Sequence, residues 1–348
     1  IESSKTRDTW IKINRVLARM LTSRYGQDHP GLALRVARHF FEAGDFSIAS
    51  MCLDEAYTRA FRTGNQDKLA EVLDLQEKCL EGGNKPPTST AWGALWLKQS
   101  KLLVWRAEPE LRDEGVRLLA GAETIARSKA DRQLLAKVLN AKGWLADFNQ
   151  DWELGIQSLN EAIDVAPNNV ERAIAHRLLG HLYAQSSSDM QASREHYTQS
   201  AALTRDPVDT FSAHQGLFFC DRAANDLDGA ERHLLASSAI AEENGLMLGM
   251  AFVHENIAVL AASRGNWAAT LPELKKALEL HEVLGPKSPP ANLARSQLAR
   301  AYIINDELDP AREIFAALPP AIQATLPDVE AFIMIAENKD IDARLKAA

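Results

Sequence analysis

Between Leu139 and Pro167 the chain sets small and large apolar residues at fixed offsets: Gly143, Ala146, Gly155, Leu159, Ala162 and then Pro167. Steps of three and four residues put such positions on one face of a helix, so the stretch predicts two amphipathic helices joined by a short turn. Gly143 and Gly155 let two backbones approach, and Leu159 fills the space between them. Pro167 ends the second helix because it has no amide hydrogen to donate. A single hairpin of this kind cannot cover its own apolar face, which predicts similar hairpins on both sides.

The pattern recurs along the chain. Ala37, Phe40, Gly44, Ala49, Leu53 and Ala56 repeat it near the start, and the helix from Ile48 to Phe61 can close one hairpin and open the next. Trp92–Arg106 pairs with Asp113–Arg127, where Gly115, Leu119 and Ala122 carry the small-large-small signature. Later anchors are Gly180 and Tyr197, Ala230 and Leu234, Gly265 and Leu274, and Ala311 and Phe315. The small residue that opens each second helix falls at Gly155, Ser193, Ala230, Thr270 and Ala311, a spacing of 37 to 41 residues. These offsets match the tetratricopeptide repeat, with a period longer than the usual ~34 residues. The expected fold is therefore all-α: a right-handed superhelix of about eight antiparallel hairpins. A separate helix is predicted over Asn14–Tyr25. The organisation expected is one array over 1–348, with N-terminal repeats over 1–81 and a loop or hinge at 82–90, where paired glycines and prolines break the pattern. Central and C-terminal repeats follow over 91–318, and capping helices over 319–348.

Composition narrows the function classes. Hydrophobic residues make up 46% and charged residues 25% of the 348, as in a helical protein without a membrane span. A net charge of -8 without a Lys/Arg cluster argues against direct nucleic-acid contact. Cys52, Cys79 and Cys220 are odd in number and sit at apolar helical positions, which suits buried thiols in a reducing cytoplasm. The first residue is Ile within a polar opening, consistent with a fragment of a longer protein.

Placed in order, the first eighty residues resemble a known neighbourhood. The segment HFFEAGDF, Ala49, the stretch Ala56–Ala60 and the run from Leu69-Ala70 to Leu80 resemble the helical region of STAND-type signalling ATPases, among them large LuxR-type transcriptional activators similar to the maltose-regulon activator. That resemblance implies a sensor superhelix in a signalling or transcriptional regulator. The ATPase itself is absent from the chain, because no G-x-x-x-x-G-K-[ST] motif occurs.

Catalysis finds little support. No H-E-x-x-H pair or G-x-S-x-G elbow is present, so no enzyme activity, cofactor or metal is expected. Binding is better supported. Positions 2, 5, 9 and 12 of each first helix share one face and should line the inner groove. They are Lys137, Asn140, Trp144 and Asp147, then Ile174, Arg177, His181 and Ala184, then Ser212, Gln215, Phe219 and Arg222, the last set placed to within one residue. Lys137, Asn140, Trp144, Arg177, His181, Phe219 and Arg222 are the candidate site. Such a mixture suits a protein or peptide partner or a small polar or anionic effector, with a homo-oligomer also open. The competing reading is that Trp144 and Phe219 pack between repeats while the charges pair with neighbours. The alternative to a sensor is a free-standing scaffold for protein assembly.

Overall fold

Small residues at the expected places do bring helices together. The computed structural model describes residues 2–26, 31–106, 109–186, 189–286 and 288–335, and among these there is no strand. The chain divides into two compact units, 1–209 and 210–348.

Unit 1 contains α1 (Glu2–Tyr25), α2 (Ala33–Glu42), α3 (Phe46–Arg62), α4 (Gln66–Gly82), α5 (Thr90–Trp105), α6 (Pro109–Ser128), α7 (Arg132–Phe148), α8 (Trp152–Val165), α9 (Asn169–Ser186) and α10 (Met190–Leu203). The division falls in the first turn of α11 (Pro207–Ala223). Each helix packs on the next, with α5/α6, α7/α8 and α9/α10 as the tightest hairpins. The first helices also touch one another, α5 against α7 and α7 against α9. Lys98 of α5 reaches Asp54 and lies over the Tyr57 ring of α3. Helices α3, α5, α7 and α9 therefore form one continuous face.

Close approach explains the glycines of α7 and α8. A Cβ on Gly143 would stand 2.4 Å from Leu159 Cγ, and one on Gly155 would stand 2.7 Å from Leu182 Cδ1 and 3.1 Å from Ala146 Cβ. Leu159 and Ala162 are fully buried. At the start of the array α3 packs against both α2 and α4, so it is shared between two hairpins. Arg15 of α1 forks onto Asp45 at 2.7 and 2.9 Å, tying the first helix to the turn before α3. The connection after α4 is held by the Trp92 indole, which donates to Lys85 O at 3.0 Å.

Unit 2 continues with α12 (Leu227–Glu243), α13 (Met247–Ser263), α14 (Thr270–Leu284), α15 (Pro289–Ile304), α16 (Leu308–Ala316) and α17 (Pro320–Gln323); residues 327–335 are helical too. Hairpins α13/α14 and α15/α16 pack as in unit 1, and α12 leans on α13. Ser193, Ala230, Thr270 and Ala311, which open the second helices, are all buried. The last part of the expected capping segment, 336–348, lies outside the described residues.

One turn design punctuates both units. A residue at positive φ precedes the helix cap: Ala130, Gln150 and Asn225 adopt φ of 50°, 56° and 60°. Asp131, Asp151 and Asp226 follow, and Asp189 caps α10 as well. Each accepts a bond from the backbone N–H three residues on, at 2.8–3.3 Å. The left-handed residue reverses the chain and the aspartate satisfies an amide that the helix leaves open.

Candidate binding face

The first helices of unit 1 bring five charged groups together. Lys101 of α5 lies within electrostatic reach of Glu171 and Arg177 of α9, Lys137 of α7 and Asp209 at the start of α11. Burial lowers the pKa of the Lys101 ammonium, and the nearby cations Lys137 and Arg177 add to the effect against the two carboxylates. Burial raises Glu171, opposed by Lys137 and Lys101. It raises Asp209 to about 6, opposed by Arg177. For Lys101, Glu171 and Asp209 burial is the largest influence, and the opposite charges nearby do not cancel it.

Glu171 is well tied. It is 4% exposed, takes a bond from Gln133 Nε2 at 3.0 Å, and takes one from Asn140 Nδ2 at 3.2 Å. Asn140 Nδ2 also donates to the Glu171 backbone carbonyl at 3.1 Å. Asn140 thus joins α7 to α9 and is itself 3% exposed, while its Oδ1 is buried with no hydrogen-bond partner. Arg177 Nε is likewise buried without a hydrogen bond, standing 3.7 Å from Asp209 Oδ1. Among the described residues the ammonium groups of Lys101 and Lys137 have neither a hydrogen bond nor a close ion pair.

The other candidates are placed as follows. Trp144 is half-buried on α7, packs on the unit 1 core, and meets Phe148 edge-to-face with ring centres 5.0 Å apart. His181 Nε2 lies 3.0 Å from Asp147 Oδ2, a second link between α9 and α7. Phe219 and Arg222 belong to unit 2. Phe219 is 45% exposed on α11, and the Arg222 guanidinium lies 5.9 Å from its ring centre. Lys137, Asn140, Trp144, Arg177 and His181 are therefore on neighbouring first helices of one unit, and Phe219 and Arg222 are adjacent on one helix of the other.

Sequence reading missed Lys101, Gln133, Glu171 and Asp209. For Lys101 a signal existed. A Cβ on Gly115 would approach Ser100 O at 3.3 Å, as one on Gly155 approaches Gly143 O at 3.6 Å. Ser100 is thus the counterpart of Gly143, and Lys101 takes the place of Trp144. The irregular connection near Pro109 hid that register.

His176 and His196 join α9 to α10 through Nδ1 atoms 2.9 Å apart, and His214 and His233 join α11 to α12 at 3.0 Å. Among the described residues no group of three or more His, Cys, Asp or Glu is arranged to hold a metal, and no helix is long and apolar enough to cross a membrane. All three cysteines are buried, and burial pushes the Cys79 thiol up to about 11, which leaves it unreactive.

No family model matches the chain, and no curated protein matches it. Among solved structures, the APC/C hetero-tetramer Cut9–Hcn1 superposes with a TM-score of 0.57 at 13% identity over 95% of this chain; the chain spans 58% of that one. A tetratricopeptide repeat protein from Parabacteroides merdae gives a TM-score of 0.49 at 12% identity, covering 81% of this chain and 97% of that one. Human IFIT1, solved as a dimer with PPP-AAAA, gives 0.49 at 11%, covering 82% and 71%. Identities this low speak to fold alone, and the fold is a tetratricopeptide-like array of antiparallel helical hairpins.

Proposed function

We propose that the chain is a non-catalytic binding module, and that the first-helix face of unit 1 recognises the anionic group of an effector or partner. The observation that carries this reading is the set of donors without acceptors: Lys101 and Lys137 unpaired, and Arg177 Nε buried and unbonded. An anion bound beside Lys101 and Lys137 would supply the acceptors that these two ammonium groups lack, through charge-assisted hydrogen bonds. Asn140 and Glu171 fix the spacing of α7 and α9 and so hold Lys137 and Arg177 in place. The finer reading, an effector sensor within a larger regulator, follows from the resemblance of the first eighty residues to STAND-type proteins. A free-standing scaffold is favoured instead by an exposed aromatic of α3, Phe61, whose ring is tilted at 59° to that of half-buried Trp105 of α5, 5.7 Å away.

The test is calorimetry at pH 7 with citrate, glutarate, phosphate and an acidic twelve-residue peptide. The unmodified chain should bind at least one of these about tenfold more tightly than the Lys137→Gln, Arg177→Gln double variant, with similar melting of the two proteins. Equal affinity in both proteins, or no heat from any probe, rejects this face as the site.

A further inference from the structure

Helix α1 rests on the rest of unit 1 through one side and leaves an apolar stripe on another. Asn14 and Ala18 are buried, and Asn14 Oδ1 lies 2.8 Å from His39 Nδ1 of α2. On the side turned away, Ile13, Val16 and Met20 are 47–64% exposed, with half-buried Leu17 beside them. Steps of three and four residues align these side chains along two turns of helix, which is the spacing that seats a second helix in a coiled-coil seam. Lys12 and Arg19 flank the stripe, exposed and seven residues apart, each directly before one of its apolar residues. Among the described residues neither makes a hydrogen bond or an ion pair, and Asp8, one turn before Lys12, does not pair with it. An apolar seam is thus edged by positive charge that nothing in the unit answers.

We propose that this side of α1 docks an acidic amphipathic helix of a partner protein, whose apolar residues at heptad spacing meet Ile13, Val16 and Met20 and whose Glu or Asp side chains meet Lys12 and Arg19. The surface is separate from the first-helix face of α5, α7 and α9, and the two assignments stand or fall independently. Charge selects the occupant, because residues flanking an apolar seam set partner choice by pairing with opposite charge. A second copy of the chain fits poorly. Two α1 helices laid antiparallel across the stripe set Lys12 against Arg19, and like charges in that position oppose pairing. An anionic bilayer fits poorly too. Arg24 stands on the axis of the stripe one turn beyond Met20, where lipid would have to cover it, and the chain as a whole carries a net charge of -8.

The experiment is fluorescence anisotropy of the full chain with a labelled three-heptad peptide that has Ile at a, Leu at d and Glu at every e and g position, beside the same peptide with Lys at e and g. Repulsion between like charges keeps each peptide from pairing with itself. The expected result is that the Glu peptide binds at least about tenfold more tightly than the Lys peptide. Lys12→Glu with Arg19→Glu should reverse that preference, and Ile13→Ser with Met20→Ser should weaken the Glu peptide about tenfold or more. All four residues are exposed, so both variants should melt with the unmodified chain. No binding of the Glu peptide, equal binding of the two peptides, or binding that neither pair of changes alters overturns the proposal. Sedimentation and phosphatidylserine vesicles read the other occupants. A dimer that Ile13→Ser with Met20→Ser dissolves would give the stripe to a second copy, and vesicle binding that the same changes abolish would give it to lipid; either result overturns the acidic helix.

Discussion

Burial holds the Asp209 carboxyl at about 6, against an ordinary 3.8, and that difference has a sign. The folded chain keeps the proton between those values while the unfolded chain has lost it, so this group favours folding in acid. Its contribution is lost as pH rises from about 4 to about 6, by roughly 3 kcal/mol in all. Asp209→Asn removes the buried charge and should raise stability at pH 7 while flattening the pH 4–6 window, read as the denaturant midpoint against pH. A midpoint that stays pH-dependent in that window would assign the effect to another group. The histidine pair works in the opposite direction. Burial, reinforced at His176 by His196, lowers both imidazoles below 6.5, whereas Glu195 raises His196. The unfolded chain therefore takes up protons first, and stability falls as pH drops below 6.5. The α7/α8 hairpin has Leu139 and Ser158 at the equivalent places, both buried. Replacing the pair as His176→Leu with His196→Ser should reduce the loss of melting temperature between pH 7 and pH 5. These electrostatic details were not legible in the sequence, because a lysine or aspartate at one helical position looks alike whether its neighbours cover it or water does.

At the scale of the element, most of the hairpins could be read in advance. Gly143, Gly155, Leu159 and Ala162 each contact what their spacing demanded, since close helix approach admits few residues. Gly155→Leu should overpack that contact by about 1–3 kcal/mol, measured by chemical denaturation; an unchanged midpoint would place Gly155 outside the contact. What escaped notice were boundaries set by polar residues. Helix α1 begins at Glu2, twelve residues before the apolar periodicity starts at Asn14, and residues 6–10 on it are exposed. The left-handed turn positions also escaped, since Ala130 and Gln150 carry no signal of positive φ. Gln150→Gly should relieve strain and stabilise by about 0.5–1 kcal/mol, and Asp151→Ala should cost about 1 kcal/mol by removing the cap. Two melting curves decide both.

For the whole molecule, the repeat spacing of 37 to 41 residues carried the fold class, because only stacked hairpins place small residues so regularly. The candidate face was legible in part. The face of α7 and α9 followed from helical period, whereas Lys101 and Asp209 came from a misaligned repeat and a helix start, where spacing alone gives no register. In such an array each hairpin contacts mainly its neighbours, so damage should stay local. Leu274→Ala, in the core of α13/α14, should raise amide exchange in those helices and leave protection in α7/α8 unchanged. Uniform loss of protection across α7 to α14 would mean a single cooperative unit instead.

The capped turns have a consequence for the order in which the protein comes into being. Asp131, Asp151, Asp189 and Asp226 each bond an amide only three residues ahead, and the hairpin contacts that follow span fewer than about forty residues. Low sequence separation means that little chain entropy is lost before a contact forms, so each hairpin can close quickly. A ribosome adding about 5–20 residues each second releases one hairpin every few seconds, far longer than closure takes. The array is therefore suited to assembly from its N-terminal end during translation, each finished hairpin offering the next a surface on which to dock.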